Sequence, residues 1–125
     1  MNRTIYFLFV ILSCSMSGQQ SSEVISAEKL VELRDQGVKV VDIRTKSEFD
    51  QGHIPDVIHI DFLEDGFVEK MKKEGVDDPI IIHCASGRRS AKAAKMLMDA
   101  GFKQIYDYSG GIRDWSSKGL EIEKE

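Results

Sequence analysis

The sequence predicts an α/β three-layer sandwich, a central and mainly parallel five-stranded sheet with helices on both faces. Short apolar runs rich in β-branched residues, above all Ile80-Ile81-Ile82 and Val38 to Ile43, alternate along the chain with segments of 3.6-residue apolar period. The first run is apolar at three successive positions, as in a strand covered on both faces, and the second is nearly all apolar; strands that alternate with helices are joined by right-handed crossovers into parallel sheets. At 125 residues and 42% hydrophobic, the chain suits one domain with one core.

Each element has its own signal. Val24-Ile25 is a short first strand, and Ser26 is the N-cap of a helix that turns Leu30, Val31 and Leu33 inward and stops at Gly37. Val38 to Ile43 is the second strand. Asp42 and Arg44 lie one strand period apart, so they share a face and can pair, bracing the neighbouring loop. Thr45-Lys46-Ser47-Glu48 has capping-box spacing and starts a short helix that holds Phe49 against the core. Gly52 and Pro55 bracket a turn. Val57 to Ile60 is a third strand, and Glu64 to Lys73 a helix with Phe67, Val68 and Met71 on one side.

Gly75 through Pro79 turns the chain into the Ile80-Ile81-Ile82 strand, which leads through His83 and Cys84 into a tight loop. The helix that follows sets Ala91, Ala94, Leu97 and Met98 opposite Lys92, Lys95 and Asp99. Gly101 ends it, Gln104 to Tyr106 is the fifth strand, and Ile112 to Lys118 a last short helix; Phe102 and Trp115 read as core.

Cys84 stands where the most apolar strand becomes a loop, at the carboxyl end where such sheets bind ligands. A loop entering a helix aims free N–H groups and the positive end of the macrodipole at its occupant, which favours an anion. Arg88 and Arg89 lie in the same turn, and a thiol beside arginine or a helix N-terminus is acidified. Cys84 is therefore the candidate nucleophile, and the arginines are expected to attract an anionic substrate. His53, His59 and His83 have no metal-ligand spacing, so no metal is expected. His83 should point away from Cys84, on the opposite face of the strand, as a core histidine with its hydrogen bonds met.

Cys84-Ala85-Ser86-Gly87-Arg88-Arg89-Ser90 resembles the active-site loop of the rhodanese family, of the form Cys-x-x-Gly-x-Arg-Ser. Val41-Asp42-Ile43-Arg44 with Glu48-Phe49, Gly52-His53-Ile54-Pro55, and Ser109-Gly110-Gly111-Ile112 before Trp115 are similar in type and order to the family's other motifs. The resemblance runs from about residue 23 to residue 122. It implies a sulfurtransferase in which the Cys84 thiolate attacks the outer sulfur of a donor such as thiosulfate. The resulting persulfide passes that sulfur to a thiol or cyanide acceptor. No cofactor is implied. The backbone N–H groups of Ala85, Ser86, Gly87, Arg88, Arg89 and Ser90 would cradle the persulfide. Asp42, Arg44, His53 and Gly110 would support it, His53 by holding its turn with a hydrogen bond and Gly110-Gly111 by letting the backbone approach the loop.

Two other readings share these residues. A cysteine phosphatase or arsenate reductase resembles Cys-x5-Arg, whereas here the sixth residue after Cys84 is Ser90 and the loop is one residue short. A non-catalytic binding domain would more typically lack the cysteine. A net charge of -4 and a pI near 5.4 argue against a nucleic-acid partner.

The N-terminus reads as a leader. Met1-Asn2-Arg3-Thr4 is positive, Ile5 to Leu12 is apolar but too short to span a bilayer, and Leu12-Ser13-Cys14 resembles the end of a bacterial lipobox. Residues 1–13 are expected to be a signal peptide, 14–22 a flexible tether lipidated at Cys14, and 23–122 the rhodanese-like domain. The expectation is an exported bacterial protein of the periplasm or cell envelope, held to a membrane by its lipid and served by a redox partner protein if one is needed. Cys84 is then the only thiol of the mature chain.

Overall fold

A computed structural model describes residues 19–125. The expected signal peptide, the lipidation at Cys14 and the first part of the tether lie outside the described residues. The elements are β1 (Ser21–Val24), α1 (Ala27–Asp35), β2 (Lys39–Asp42), α2 (Lys46–Gln51), β3 (Ile58–His59), α3 (Phe67–Lys72), β4 (Ile80–His83), α4 (Arg88–Asp99), β5 (Gln104–Asp107) and α5 (Gly111–Ser117). The strands form one five-stranded sheet in the order β1-β5-β4-β2-β3. Every pairing is parallel.

Strand alternation divides the apolar residues between two layers. Val41, Ile80 and Ile82 face α3 and α4, packing with Met71, Leu97 and Phe102, whereas Val40 and Ile81 face the layer of Leu30, Leu33, Tyr108 and Trp115. Because both faces are covered, β4 is buried along its whole length. Capping fixes the helix starts as expected: the Ser26 side chain accepts from Lys29 N, and Thr45 and Glu48 form a reciprocal capping box.

The chain moves outward from β2 to β3 in one direction and from β4 to β5 in the other, so the sheet reverses its strand order between β2 and β4. Loops leaving the carboxyl ends of those two strands part from each other and open a crevice. Arg44 and Cys84 follow those two strand ends.

Several boundaries differ from the sequence reading. The domain starts before residue 23, because Ser21 N donates to Lys103 O and the Gln20 side chain donates to the carbonyls of Met98 and Phe102. Ser21 and Ser22 thus belong to β1 rather than to a tether. It also runs past residue 122, since His53 and Glu123 exchange backbone hydrogen bonds. Helix α3 is shorter than Glu64 to Lys73: Gly66 precedes it in the left-handed region and offers no side-chain cap. On α4, Ala91 is exposed and Ala93 is buried in its place. The helix begins at Arg88, and its inward face is set by Ser90, Ala93, Ala94 and Leu97.

His83 is fully buried and faces Tyr108, away from Cys84. Its Nδ1 donates to the Cys84 carbonyl at 3.2 Å, but its Nε2 has no partner and stands 3.8 Å from Asp42 Oδ2. The expected core histidine is therefore only half satisfied, because the Asp42 carboxylate is already engaged by Arg44. Burial lowers the His83 pKa from 6.5, against the opposing pull of Asp42. The unfolded chain then binds a proton near pH 6.5 that the folded chain refuses. Stability should be full above that pH and fall below it, by up to about 1.4 kcal/mol per pH unit. Urea unfolding at pH 7.5 and 5.5 should show a smaller difference for His83→Gln than for the wild type. An equal difference would assign the acid sensitivity to other groups.

Candidate active site

The loop from Cys84 to Ser90 is built by two opposing demands. Its N–H groups turn inward toward sulfur, so its carbonyls must find partners elsewhere. They find them at the start of α5, where Ile112 N donates to Cys84 O at 3.0 Å and Arg113 N donates to Ala85 O at 3.1 Å. This approach requires Gly111, at φ +62°, since a Cβ there would collide with the carbonyl oxygens of Cys84 and Ala85. Gly87, at φ +98°, has the same constraint: a Cβ would lie 2.5 Å from Ser109 O. Of the pair Gly110-Gly111 expected to let the backbone approach the loop, Gly111 makes the contact. A Cβ on Gly110 would instead meet the Asp114 side chain.

Cys84 is 1% exposed, at the floor of this loop. Gly87 N donates to its Sγ at 3.2 Å. Burial alone raises the thiol pKa, but the N–H and hydroxyl of Ser90 and the N–H groups of Gly87 and Ser86 outweigh it, and the thiol lies below its ordinary value. Of the six loop residues expected to cradle sulfur, Ser86, Gly87 and Ser90 point donors at it. Ala85 serves through its carbonyl, which ties the loop to α5.

The two arginines diverge from expectation. Arg88 is exposed. Arg89 makes a two-pronged ion pair with Glu48, NH1 to Oε1 at 2.7 Å and NH2 to Oε2 at 2.8 Å. The guanidinium holds the Glu48 carboxyl down at about 2, against its partial burial, and Thr45 adds two further hydrogen bonds. Arg89 is thus a brace across the crevice rather than a free anion receptor. Glu48, which the sequence signals only as a capping residue, becomes the hub that joins α2 to the loop.

Asp42 and Arg44 do pair, as their spacing suggests. Arg44 Nε and NH2 donate to the Asp42 carboxylate at 2.8–3.1 Å, and NH2 also donates to Gly52 O at 2.7 Å. The pair is almost wholly buried, and it ties the end of β2 to the turn after α2. His53 holds that turn: its Nδ1 donates to Ile54 O at 2.9 Å and its ring stacks on Phe49 with centroids 3.9 Å apart. Phe49 is accordingly only half-buried, sandwiched between His53 and His59.

Two cavities flank the loop. One of about 350 Å³ is lined by Arg44, Glu48, Gly52, Ala85, Ile112 and Ile122; the other, of about 480 Å³, by Ser86, Ser109, Gly110, Arg113, Asp114 and Ser117. Among the described residues, no group of three His, Cys, Asp or Glu side chains is arranged to hold a metal. Nor is any described helix long and apolar enough to cross a membrane.

The ion pair across the crevice sets a stability expectation. Arg89→Ala and Glu48→Gln should each cost about 1 kcal/mol, and the double variant little more than either. The corresponding fall in Tm is roughly 4–8 °C. Thermal unfolding of the four proteins checks this, and additive losses would mean that the pair is not coupled.

The rhodanese-like domain family matches residues 26–118. The Bacillus subtilis protein YrkF, a proposed sulfur carrier protein, is 36% identical over 110 residues, 81% of this chain and 58% of its own length. The chain thus spans little more than half of that relative. The thiosulfate sulfurtransferase GlpE of Pseudomonas syringae is 33% identical over 73% of this chain and 84% of its own. Among solved structures, a rhodanese-related protein from Thermoplasma volcanium is 32% identical, covers 82% of this chain and 99% of its own, and superposes with a TM-score of 0.71. With the parallel sheet, the loop at the end of β4 and the glycine start of α5 all in place, the chain belongs to the rhodanese-like domain family.

Proposed function

We propose that the protein is a sulfurtransferase in which Cys84 carries the sulfur. The observation that carries this reading is the convergence of the Ser86, Gly87 and Ser90 donors on one acidified sulfur at the N-terminus of α4. Relatives named thiosulfate sulfurtransferase support it. The Cys84 thiolate attacks the outer sulfur of a small anionic donor such as thiosulfate. A new S–S bond forms as the donor's S–S bond breaks, and sulfite leaves with the electron pair. The terminal persulfide sulfur carries the negative charge that the loop donors stabilise. A thiolate or cyanide acceptor then attacks that terminal sulfur, and Cys84 leaves as the thiolate.

Thiosulfate should add one sulfur mass to the protein and none to Cys84→Ser. Mass spectrometry reads both, and thiocyanate formation by the Ser variant would remove Cys84 from the reaction.

The geometry favours sulfur over phosphoryl chemistry. The loop closes at Arg89, five residues after Cys84, and both prongs of the Arg89 guanidinium are engaged by Glu48. Without a free arginine, the charge of a transferring phosphoryl group would go unpaired. Sulfur transfer from thiosulfate should therefore exceed hydrolysis of an aryl phosphate, and the opposite order in parallel assays would overturn the assignment.

Export and anchoring through Cys14 remain part of this reading, on the strength of the charged start, the apolar run and the cysteine that ends it. Two acyl chains or more give stable membrane retention. Native protein should fractionate with membranes and Cys14→Ala should not; soluble recovery of both would leave a secretory signal without an anchor.

A further inference from the structure

An acceptor thiol brings more than its sulfur to the site. While that sulfur meets the persulfide on Cys84, the rest of the molecule has to lie beside the loop, in one of the two cavities that flank it. The two differ in the charge they offer. In the cavity of about 350 Å³ the charged side chains are already engaged: Arg44 donates to Asp42 and to Gly52 O, and Glu48 holds Arg89. In the cavity of about 480 Å³ the Asp114 carboxylate is likewise engaged, by the Tyr108 hydroxyl at 2.6 Å and by Lys118 at 3.5 Å. Arg113 lines the same cavity, is exposed, and has no ion pair among the described residues.

The backbone fixes where this cation stands. Arg113 N donates to Ala85 O at 3.1 Å, so the residue enters from α5, outside the Cys84–Ser90 loop but in direct contact with it. Ser86, one of the residues that aim an N–H at the sulfur, lines the same cavity, and so does Ser109. The Ser117 hydroxyl is taken up by Asp114 O at 2.8 Å, which leaves those of Ser86 and Ser109. An unpaired guanidinium with two hydroxyls beside it suits a carboxylate, which accepts from all three and pairs with the planar fork. A volume of about 480 Å³ also lies within the range of small-molecule sites, about 300–1,000 Å³, and exceeds what a five-atom donor fills.

We propose that the sulfur acceptor is a small thiol bearing a carboxylate, and that Arg113 selects it by pairing with that group. The proposal rests on the sulfurtransferase reading. The acceptor thiolate attacks the terminal sulfur of the Cys84 persulfide; a new S–S bond forms, the bond to Cys84 breaks, and Cys84 leaves with the electron pair as its thiolate. The acceptor departs as a persulfide with its carboxylate unchanged. That carboxylate takes no part in the bond changes. It anchors the body of the molecule beside Ser86, and Arg113 offsets the extra negative charge it brings to a step in which one anion already attacks another.

The test uses two pairs of probes that differ in charge, on the full chain carrying Cys14→Ser so that Cys84 is the only thiol. After loading with thiosulfate, discharge is timed with 3-mercaptopropionate and with 2-mercaptoethanol, each rate being divided by the thiolate concentration. Without loading, Cys84 is alkylated with iodoacetate and with iodoacetamide. In both pairs the ratio of the anionic to the neutral probe should fall about threefold in Arg113→Gln, as for an exposed ion pair. It should recover in part in Arg113→Lys, fall further in Arg113→Glu, and shrink in the wild type with added salt. A ratio taken on one protein cancels any change in the reactivity of the sulfur itself. Arg88 is exposed and lines neither cavity, so Arg88→Gln should move the ratios less. Unchanged ratios in Arg113→Gln overturn the proposal; so does an equal fall in Arg88→Gln, which would make the preference a property of the general field rather than of this cavity. The alkylation pair needs no sulfur donor: a wild type that never loads sulfur defeats the proposed activity, and the iodoacetate ratio still decides whether Arg113 receives a carboxylate beside Cys84.

Discussion

The structure depends on the orientation of a few peptide groups between Cys84 and Ser90. A loop that aims its N–H groups at one sulfur sends its carbonyls outward into protein, where they must be satisfied. The first turn of α5 satisfies two of them, through Ile112 N and Arg113 N. From this follow a glycine at the start of α5, another at position 87 facing Ser109 O, and the placement of α5 against the loop. The acidity of Cys84 is a result of this backbone arrangement. The loop donors are what offset burial, and the Arg89 charge and the Cys84 thiolate favour each other as well.

The charged side chains perform a different task. Arg89 to Glu48, the Glu48 capping box, and Arg44 joined to Asp42 and Gly52 form two sets of ties along α2, one reaching the Cys84 loop and the other the end of β2. The crevice where the strand order reverses is held together by α2 and its partners. A helix of six residues has little stability of its own, and these contacts are what fix it. The positive charge that the sequence places beside Cys84 is consumed in that function in the case of Arg89, and stands in solvent in the case of Arg88.

The parts of this arrangement that could be read from sequence are those with a local cause. Ser26 and Thr45 cap the next turn of their own helices, Asp42 and Arg44 lie two residues apart, and Ile80 to Ile82 have a composition that only a doubly covered strand requires. The parallel five-stranded sheet and the family resemblance follow from such signals taken together, whereas the strand order does not. What could not be read depends on pairs far apart in the chain. Glu48 and Arg89 are 41 residues apart, and nothing local in either announces the other. Gly111 rather than Gly110 makes the close approach, a matter of which peptide faces the loop. Ala91 and Ala93 exchange places because the inward face of α4 is set by the turn at Gly87, which orients the whole helix. Asp107 gives no local signal, being one more acid in an acidic chain until the sheet buries it at the end of β5 beside β4.

One feature of the sheet joins the site to the energetics of the fold. Asp42, His83 and Asp107 close three neighbouring strands, with Asp42 in register with His83 and Asp107 one step from it, and each is less than 5% exposed. Two of the three leave a polar atom without a partner, His83 Nε2 and Asp107 Oδ1, and each such atom costs about 1–3 kcal/mol. Apolar residues of similar volume would avoid that cost, as Val40 and Ile81 show one layer inside. The unsatisfied groups stand at the carboxyl end of the sheet, where β2 and β4 part and the loop donors converge. A protein held by a core of this size can bear two such atoms, and they fall where the backbone has already been turned toward an anion. The polarity that destabilises the strand ends is thus concentrated where the proposed chemistry needs protons and charge to respond to one another.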